Sequence, residues 1–277
     1  MDVLKIFRQS ILSLAIIFTV YSCTDDNNSD SQQQDYQEVA KSAEIDLASE
    51  ALDDIAIQLV ETQQNSEQSR IPANFNMPNC VTVTVVLEQN YREITVDFGT
   101  DGCMINGNIY QGQMLLTYTR NPLEQEILIT KSLSNFYFNG LSISGSQTIL
   151  KELSNENGNP QFTKTVNLTI IWPDGASATR AGTKIREWVE GHGSGVWSDN
   201  VFEITGNWTT TFVNGNTHSY TVITPLRREV ICFYFVSGSI DVVRTNFSGI
   251  FDYGDGSCDN MATFTFANGN VVDITLN

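Results

Sequence analysis

The chain has 277 residues, which is enough for one large domain or two small ones. Its 32 acidic and 15 basic side chains give a formal net charge of -17. That balance excludes a typical nucleic-acid-binding protein, because such proteins neutralise phosphates with cations. Hydrophobic residues make up 41% of the chain, which is enough to bury a core and excludes disorder throughout.

Residues 1–22 have the layout of a bacterial export signal peptide. Lys5 and Arg8 precede a short apolar stretch. The residues that end at Cys23 resemble a lipobox, although Tyr21 replaces the usual small residue. We therefore predict a lipoprotein signal: the thiol of Cys23 is diacylated, the chain is cleaved before Cys23, and the new amine receives an acyl chain such as palmitate. The alternative is a plain secretory signal with an incidental cysteine.

Residues 23–34 are acidic and polar and contain no apolar anchor, so we predict a flexible tether. An acidic stretch directly after a lipidated cysteine also resembles the surface-export signal of Bacteroidota lipoproteins. This likeness implies an outer-membrane location and exposure at the cell surface. The alternative is a solvated spacer without sorting information.

Residues 35–63 carry the one convincing helical pattern, with a polar and acidic opposite face. We predict an amphipathic helix that either binds a partner or forms a lid on the domain that follows. Residues 64–79 contain Pro72 and Pro78 and are predicted to be a linker. The apolar stripe of the helix consists of Val39, Ala43, Leu47, Ala51, Ile55 and Leu59.

In residues 80–277 the hydrophobic period changes to two, with abundant Val, Ile, Thr and aromatic residues. This pattern is typical of half-buried antiparallel strands. Asn-Gly pairs, which suit tight hairpins, separate several of these runs: Asn139-Gly140, Asn214-Gly215 and Asn268-Gly269. No helical pattern intervenes, so the prediction is an all-β antiparallel domain, arranged as a sandwich, a barrel or one extended twisted sheet.

Four cysteines remain besides Cys23, and an even number in an exported chain favours disulfides. Segments 97–103 and 252–258 share the pattern Asp, aromatic, Gly, three residues, Cys. Each segment lies some two dozen residues after another cysteine that opens a β run. The two regions therefore look like copies of one unit, which predicts the pairs Cys80–Cys103 and Cys232–Cys258.

This repeat resembles one in secreted Bacteroidota lipoproteins of unknown function. Those proteins tend to carry a strand that begins at Cys, an Asp-Phe-Gly or Asp-Tyr-Gly turn with a nearby Cys, and a C-terminal strand pair. The resemblance covers the signal, both repeats and the tail, whereas residues 104–231 match only in style. It implies no established activity, so it assigns no functional residues.

Acidic loops and a glycine-rich loop are the conspicuous polar features. Asp252, Asp255 and Asp259 lie in a glycine-containing loop that calcium would suit, but their spacing fits no EF-hand, and Asp and Gly also form turns. We predict turns, with no metal and no cofactor. The loop that carries His192 and Ser194 lacks the context of a nucleophile elbow and is predicted to be a flexible hairpin loop.

Four tryptophans lie in the central region: Trp172, Trp188, Trp197 and Trp208. If these tryptophans are exposed in one plane, they would stack against sugar rings. If they are buried, they form part of the core. The core interpretation suits Trp208, which lies on an apolar alternating face.

Three functional hypotheses follow. The first is a non-enzymatic, lipid-anchored β protein of the outer membrane or cell surface, which serves as a structural or interaction module and contacts a surface glycan or protein. The second is a carbohydrate-binding surface lipoprotein that uses the tryptophans. The third is a hydrolase, which predicts that His192 or His218 is buried beside a nucleophile or a carboxylate.

Overall fold

The computed structural model describes residues 27–119 and 125–276, with side chains from residue 36 onward. The predicted signal peptide, the lipidated Cys23 and the first residues of the tether lie outside the described residues. Within those residues, no helix combines the length and the apolar character needed to cross a membrane.

One helix precedes fourteen strands, and a single-turn 3-10 helix follows the eighth strand. The elements are α1 (Asn27–Ser69), β1 (Thr82–Leu87), β2 (Tyr91–Asp97), β3 (Cys103–Ile105), β4 (Asn108–Thr119), β5 (Glu126–Phe138), β6 (Leu141–Glu152), β7 (Gln161–Ile171), β8 (Ser177–Glu190), the 3-10 helix (Trp197–Asp199), β9 (Val201–Phe212), β10 (Thr217–Glu229), β11 (Ser237–Arg244), β12 (Phe247–Asp255), β13 (Met261–Phe266) and β14 (Val271–Thr275).

The strands form one open antiparallel sheet, which confirms the predicted all-β class and selects the single extended sheet among the alternatives. Strands follow chain order across the sheet, except that β3 pairs only with β4, so that β2 and β4 are neighbours. Asn139 and Gly140 connect β5 to β6 with φ values of 49° and 83°, the left-handed backbone that a two-residue hairpin turn requires.

Helix α1 is longer than the predicted helix at both ends. Its backbone is already helical at residues 27–34, where a flexible tether was expected, and it extends to Ser69, beyond the predicted start of the linker. Those two boundaries were wrong because no Pro or Gly interrupts the chain between Asn27 and Ser69. The helix ends where Arg70 adopts a φ of 58°, a left-handed conformation common at helix ends.

The helix lies inside the sheet and is not a lid on its surface. Residues 45–57 are all buried, and thirteen successive residues cover more than three turns, so every side of this part of the helix is covered. The sheet contributes alternating side chains to the same core, including Val166, Leu168 and Ile170 on β7. The sheet therefore surrounds a central helix.

Both predicted disulfides are present. Cys80 and Cys103 have Cα atoms 5.5 Å apart, and Cys232 and Cys258 have Cα atoms 5.8 Å apart. The two halves of the repeat are alike in detail as well. The carboxylates of Asp97 and Asp252 each accept a hydrogen bond, 2.8 Å long, from the backbone N–H of the glycine two residues later.

We expect the double substitution Cys232→Ser and Cys258→Ser to lower the free energy of unfolding by about 3 kcal/mol, because the bond closes a loop with a sequence separation of 26 residues. Urea unfolding of the oxidised protein and of the variant measures the difference. The same loss of stability should appear when the Cys80–Cys103 disulfide is kept and only the Cys232–Cys258 disulfide is reduced. A variant as stable as the oxidised protein would contradict the prediction.

Candidate functional site

The interior of the sheet is charged, which the apolar pattern of the strands did not predict. Buried cations project inward from six strands and meet buried carboxylates on α1. The helix contributes these carboxylates at Glu38, Asp46, Glu50, Asp53 and Asp54. The buried cations are Arg92 on β2, Lys131 on β5, Lys151 on β6, Lys164 on β7, Arg180, Lys184 and Arg186 on β8, and Arg228 on β10.

Asp46 and Glu50 bridge the cations of β8. Asp46 Oδ1 lies 2.5 Å from Arg180 Nη1 and 2.7 Å from Lys184 Nζ. Glu50 Oε1 lies 3.1 Å from Lys184 Nζ, and Glu50 Oε2 lies 3.4 Å from Arg186 Nη1. Because Lys184 contacts both Asp46 and Glu50, these ion pairs form one connected network.

Asp53 and Asp54 extend this network across the sheet. The two carboxylate oxygens of Asp53 separately pair with Lys131 and Lys164. Asp54 pairs with Arg186 and, through Oδ2, with Arg228 Nη2 at 2.6 Å. The helix is therefore joined to β5, β7, β8 and β10 by charged hydrogen bonds.

The surrounding cations keep these carboxylates ionised. Burial by itself raises the pKa of the Glu50 carboxyl, but the charges of Lys164, Lys184 and Arg186 outweigh burial and hold that pKa well below its usual range. Burial also acts against ionisation of Asp53, yet Lys131 and Lys164 lower its pKa as well. The network therefore consists of ion pairs that position the helix, with each charge already neutralised by a partner.

His218 is fully buried beside a carboxylate, as the hydrolase hypothesis required of one histidine. Its Nε2 lies 2.7 Å from Glu38 Oε2. The ring is otherwise packed against aromatic rings, those of Phe212, Tyr220 and Phe247. This hydrogen bond joins β10 to the helix, as the ion pairs of the interior join other strands to it.

The structure does not bring His218 together with the glycine-rich loop. His192 is exposed and lies against the edge of Trp188, with ring centroids 4.7 Å apart. Ser194 Oγ donates a hydrogen bond to Asp199 Oδ1 at 2.9 Å. The loop lies near Glu61, whereas His218 contacts Glu38, and the helical rise separates these two helix positions by about 35 Å.

The expected plane of exposed tryptophans is not formed. Trp172, Trp188 and Trp208 are buried and Trp197 is half-buried, so the tryptophan platform of the carbohydrate hypothesis is wrong in that form. Two of the indole N–H groups donate hydrogen bonds within the protein. Trp172 Nε1 donates to Glu44 at 2.8 Å, and Trp188 Nε1 donates to Asn200 at 3.0 Å. Trp188 on β8 and Trp208 on β9 form part of the core because β strands direct alternate side chains inward.

The acidic loops form turns. Asp255 accepts from the backbone N–H of Ser257 at 3.2 Å, and Asp259 accepts from that of Met261 at 2.9 Å. These are the local hydrogen bonds by which Asp stabilises turns. Over residues 36–119 and 125–276, no group of three or more His, Cys, Asp or Glu side chains is arranged to hold a metal ion.

An open cleft, which we call the amide cleft, lies where the linker and three loops meet the middle of α1. It has two adjoining lobes that share Gln58, Asn76 and residues 195–197. The apolar lobe, of about 730 Å³, includes Met77, Ile105, Ile231 and Phe233. The polar lobe, of about 550 Å³, is lined by Gln58, Glu61, Thr62 and Asn65 of α1, Asn74 and Asn76 of the linker, Trp188, residues 191–197 and Asn200.

Trp197 lines both lobes. The 3-10 helix holds it in place, because Asn200 Nδ2 donates to the Trp197 carbonyl at 2.8 Å and Asn200 Oδ1 accepts from Trp188. Across the polar lobe, the side chains of Gln58, Asn65 and Asn76 make no hydrogen bond within the described part of the chain. Sequence reasoning identified Trp197 but missed these amides, because they come from segments distant in sequence.

No protein family, curated protein or solved structure matches the chain significantly.

Proposed function

We propose that this chain is a lipid-anchored protein of the outer membrane or cell surface that acts as an interaction module. One observation carries the proposal: the interior charges pair the helix with the sheet, while the open cleft exposes amides and an aromatic ring. Amide and aromatic side chains of this kind bind ligands by hydrogen bonds and contact. Of the titratable groups in the polar lobe, Glu61 is paired with Lys151 and His192 packs against the edge of Trp188.

The position of the helix also supports an anchored role. Helix α1 begins at Asn27, four residues after the cysteine predicted to carry the acyl chains. The same helix continues into the centre of the sheet, where its carboxylates are buried against cations. A short connection of this kind ties a membrane anchor at Cys23 to the most tightly held element of the domain.

Acylation is tested by labelling cells with radioactive palmitate and separating membrane from soluble fractions. We expect the unchanged protein to be labelled and membrane-bound, and Cys23→Ser to be unlabelled and soluble. Tyr21→Ala is the matched control, because it restores a small residue beside the cleavage site and should remain labelled. An unlabelled wild-type protein in the soluble fraction would contradict the proposal and favour the plain secretory signal.

A further inference from the structure

We propose that the amide cleft is a binding site for a neutral oligosaccharide, with a sugar ring held in the polar lobe against Trp197. This inference rests on the proposed interaction role and names the chemical class of its ligand. The proposed site does not use the buried tryptophans Trp172, Trp188 and Trp208 as a platform. It lies in the amide cleft, where Trp197 lines both lobes.

The size and shape of the cleft suit a short chain. Each lobe lies within the range of about 300–1,000 Å³ that small-ligand sites occupy. The lobes are open and adjoin each other at Trp197, so an elongated ligand is able to extend from one to the other. The exposed hydrophobic side chains of Val196 and Ile231, which line the apolar lobe, would contact the less polar faces of a sugar.

The hydrogen-bonding groups of the polar lobe match hydroxyl groups. An amide side chain both donates and accepts, and so does a hydroxyl group, which allows either direction of bonding. Gln58, Asn65 and Asn76 have no side-chain partner within the described residues. By contrast, Asn157, an amide elsewhere on the surface, donates to Glu187 at 3.0 Å. The cleft therefore offers amides that are not already used by the fold.

Trp197 lines the same lobe as these amides and would supply the stacking surface. It is half-buried, and its ring packs edge-on against Trp188 with centroids 5.8 Å apart. Because Asn200 holds the turn that carries Trp197, the ring is positioned before a ligand arrives. A fixed aromatic ring with neighbouring amides is the arrangement that a polyhydroxylated ring needs, since one face of a sugar is apolar and its edge is polar.

The charge of the protein selects a neutral ligand. The chain carries a net charge of -17, and eight of its lysines and arginines are buried inside the sheet. Arg228, the cation that lines the cleft, is already paired with Asp54. An anionic polysaccharide or polynucleotide would meet repulsion without a matching cation, so the neutral class is favoured over the acidic class.

The test uses the acylated full-length protein in a detergent without a sugar headgroup. Isothermal titration calorimetry measures binding to neutral probes: the hexasaccharides of maltose, cellulose, xylan and mannan. We expect at least one to bind. Trp197→Ala and Gln58→Leu should each weaken that binding about tenfold or more, and Trp197→Phe should retain part of it. Asn157→Ala is the matched control and should leave the affinity unchanged, while circular dichroism verifies the fold of every variant.

Three outcomes would overturn the inference: no binding of any neutral probe, binding that Trp197→Ala and Gln58→Leu leave intact, or a preference for polygalacturonate or for a mixture of unstructured peptides over every neutral probe. Each of these leaves palmitate labelling at Cys23 unaffected. Failure of the sugar site is therefore distinguishable from failure of the anchored role.

Discussion

Replacing Asp53 by asparagine is expected to lower the free energy of unfolding by about 3–5 kcal/mol. It leaves buried Lys131 without its ion-pair partner and leaves Lys164 with only its longer ion pair to Glu50, at 3.4 Å. Asp53 shares its carboxylate between Lys131 and Lys164, and all three side chains are buried. Asparagine has the same shape, so the loss reports the missing charge and not a cavity.

Urea unfolding followed by tryptophan fluorescence measures this loss, since Trp208 and Trp188 are buried in the same interior. Asp174→Asn is the matched control. Asp174 also pairs with a lysine, Lys41, at 2.9 Å, but it is exposed on the surface. Its substitution should leave stability unchanged within experimental error. Equal effects of the two substitutions would show that the buried network does not hold the helix in the sheet.

The strands and disulfides were predictable because their signals are local. A period of two specifies a strand with one buried face, and Asn139-Gly140 fits a hairpin turn by its tolerance of positive φ. The pairs Cys80–Cys103 and Cys232–Cys258 followed from a repeated segment within the sequence itself. In each case a short stretch of residues contains the physical reason for the structure.

The ends and burial of the helix were harder to predict. A hydrophobic stripe describes one face, and the acidic residues on the other face suggested solvent. The sequence does contain a signal that the helix is buried. On β7, Lys164 shares the alternating face of Val166 and Leu168, and such a cation on an apolar face must find a buried partner. Together with the acidic side of α1, that face indicates a helix inside the sheet.

The amide cleft could not be predicted from the sequence, for a different reason. Gln58, Asn76 and Trp197 belong to the helix, the linker and a loop after β8, and only the packing of the sheet around the helix brings them together. No spacing along the chain records that proximity. The same applies to His192 and His218, which the sequence allows to meet and the fold keeps at different ends of α1.

The folded protein is expected to lose stability as the pH falls below about 5. The network lowers the pKa of both Glu50 and Asp53 from ordinary values of 4.5 and 3.8. In the acidic range the unfolded chain therefore binds more protons than the folded one. The stabilising contribution is complete above the ordinary pKa values and is lost as the pH falls through the lower, folded values.

Urea unfolding at a series of pH values measures this dependence, in about 0.5 M NaCl so that repulsion among surface carboxylates is screened while the buried pairs are not. Asp53→Asn removes one of the two titrating carboxylates. Its stability should therefore start lower at neutral pH and fall less steeply than that of the unchanged protein. Parallel curves for the two proteins would contradict the contribution assigned to Asp53, because the acid sensitivity would then arise from other carboxylates.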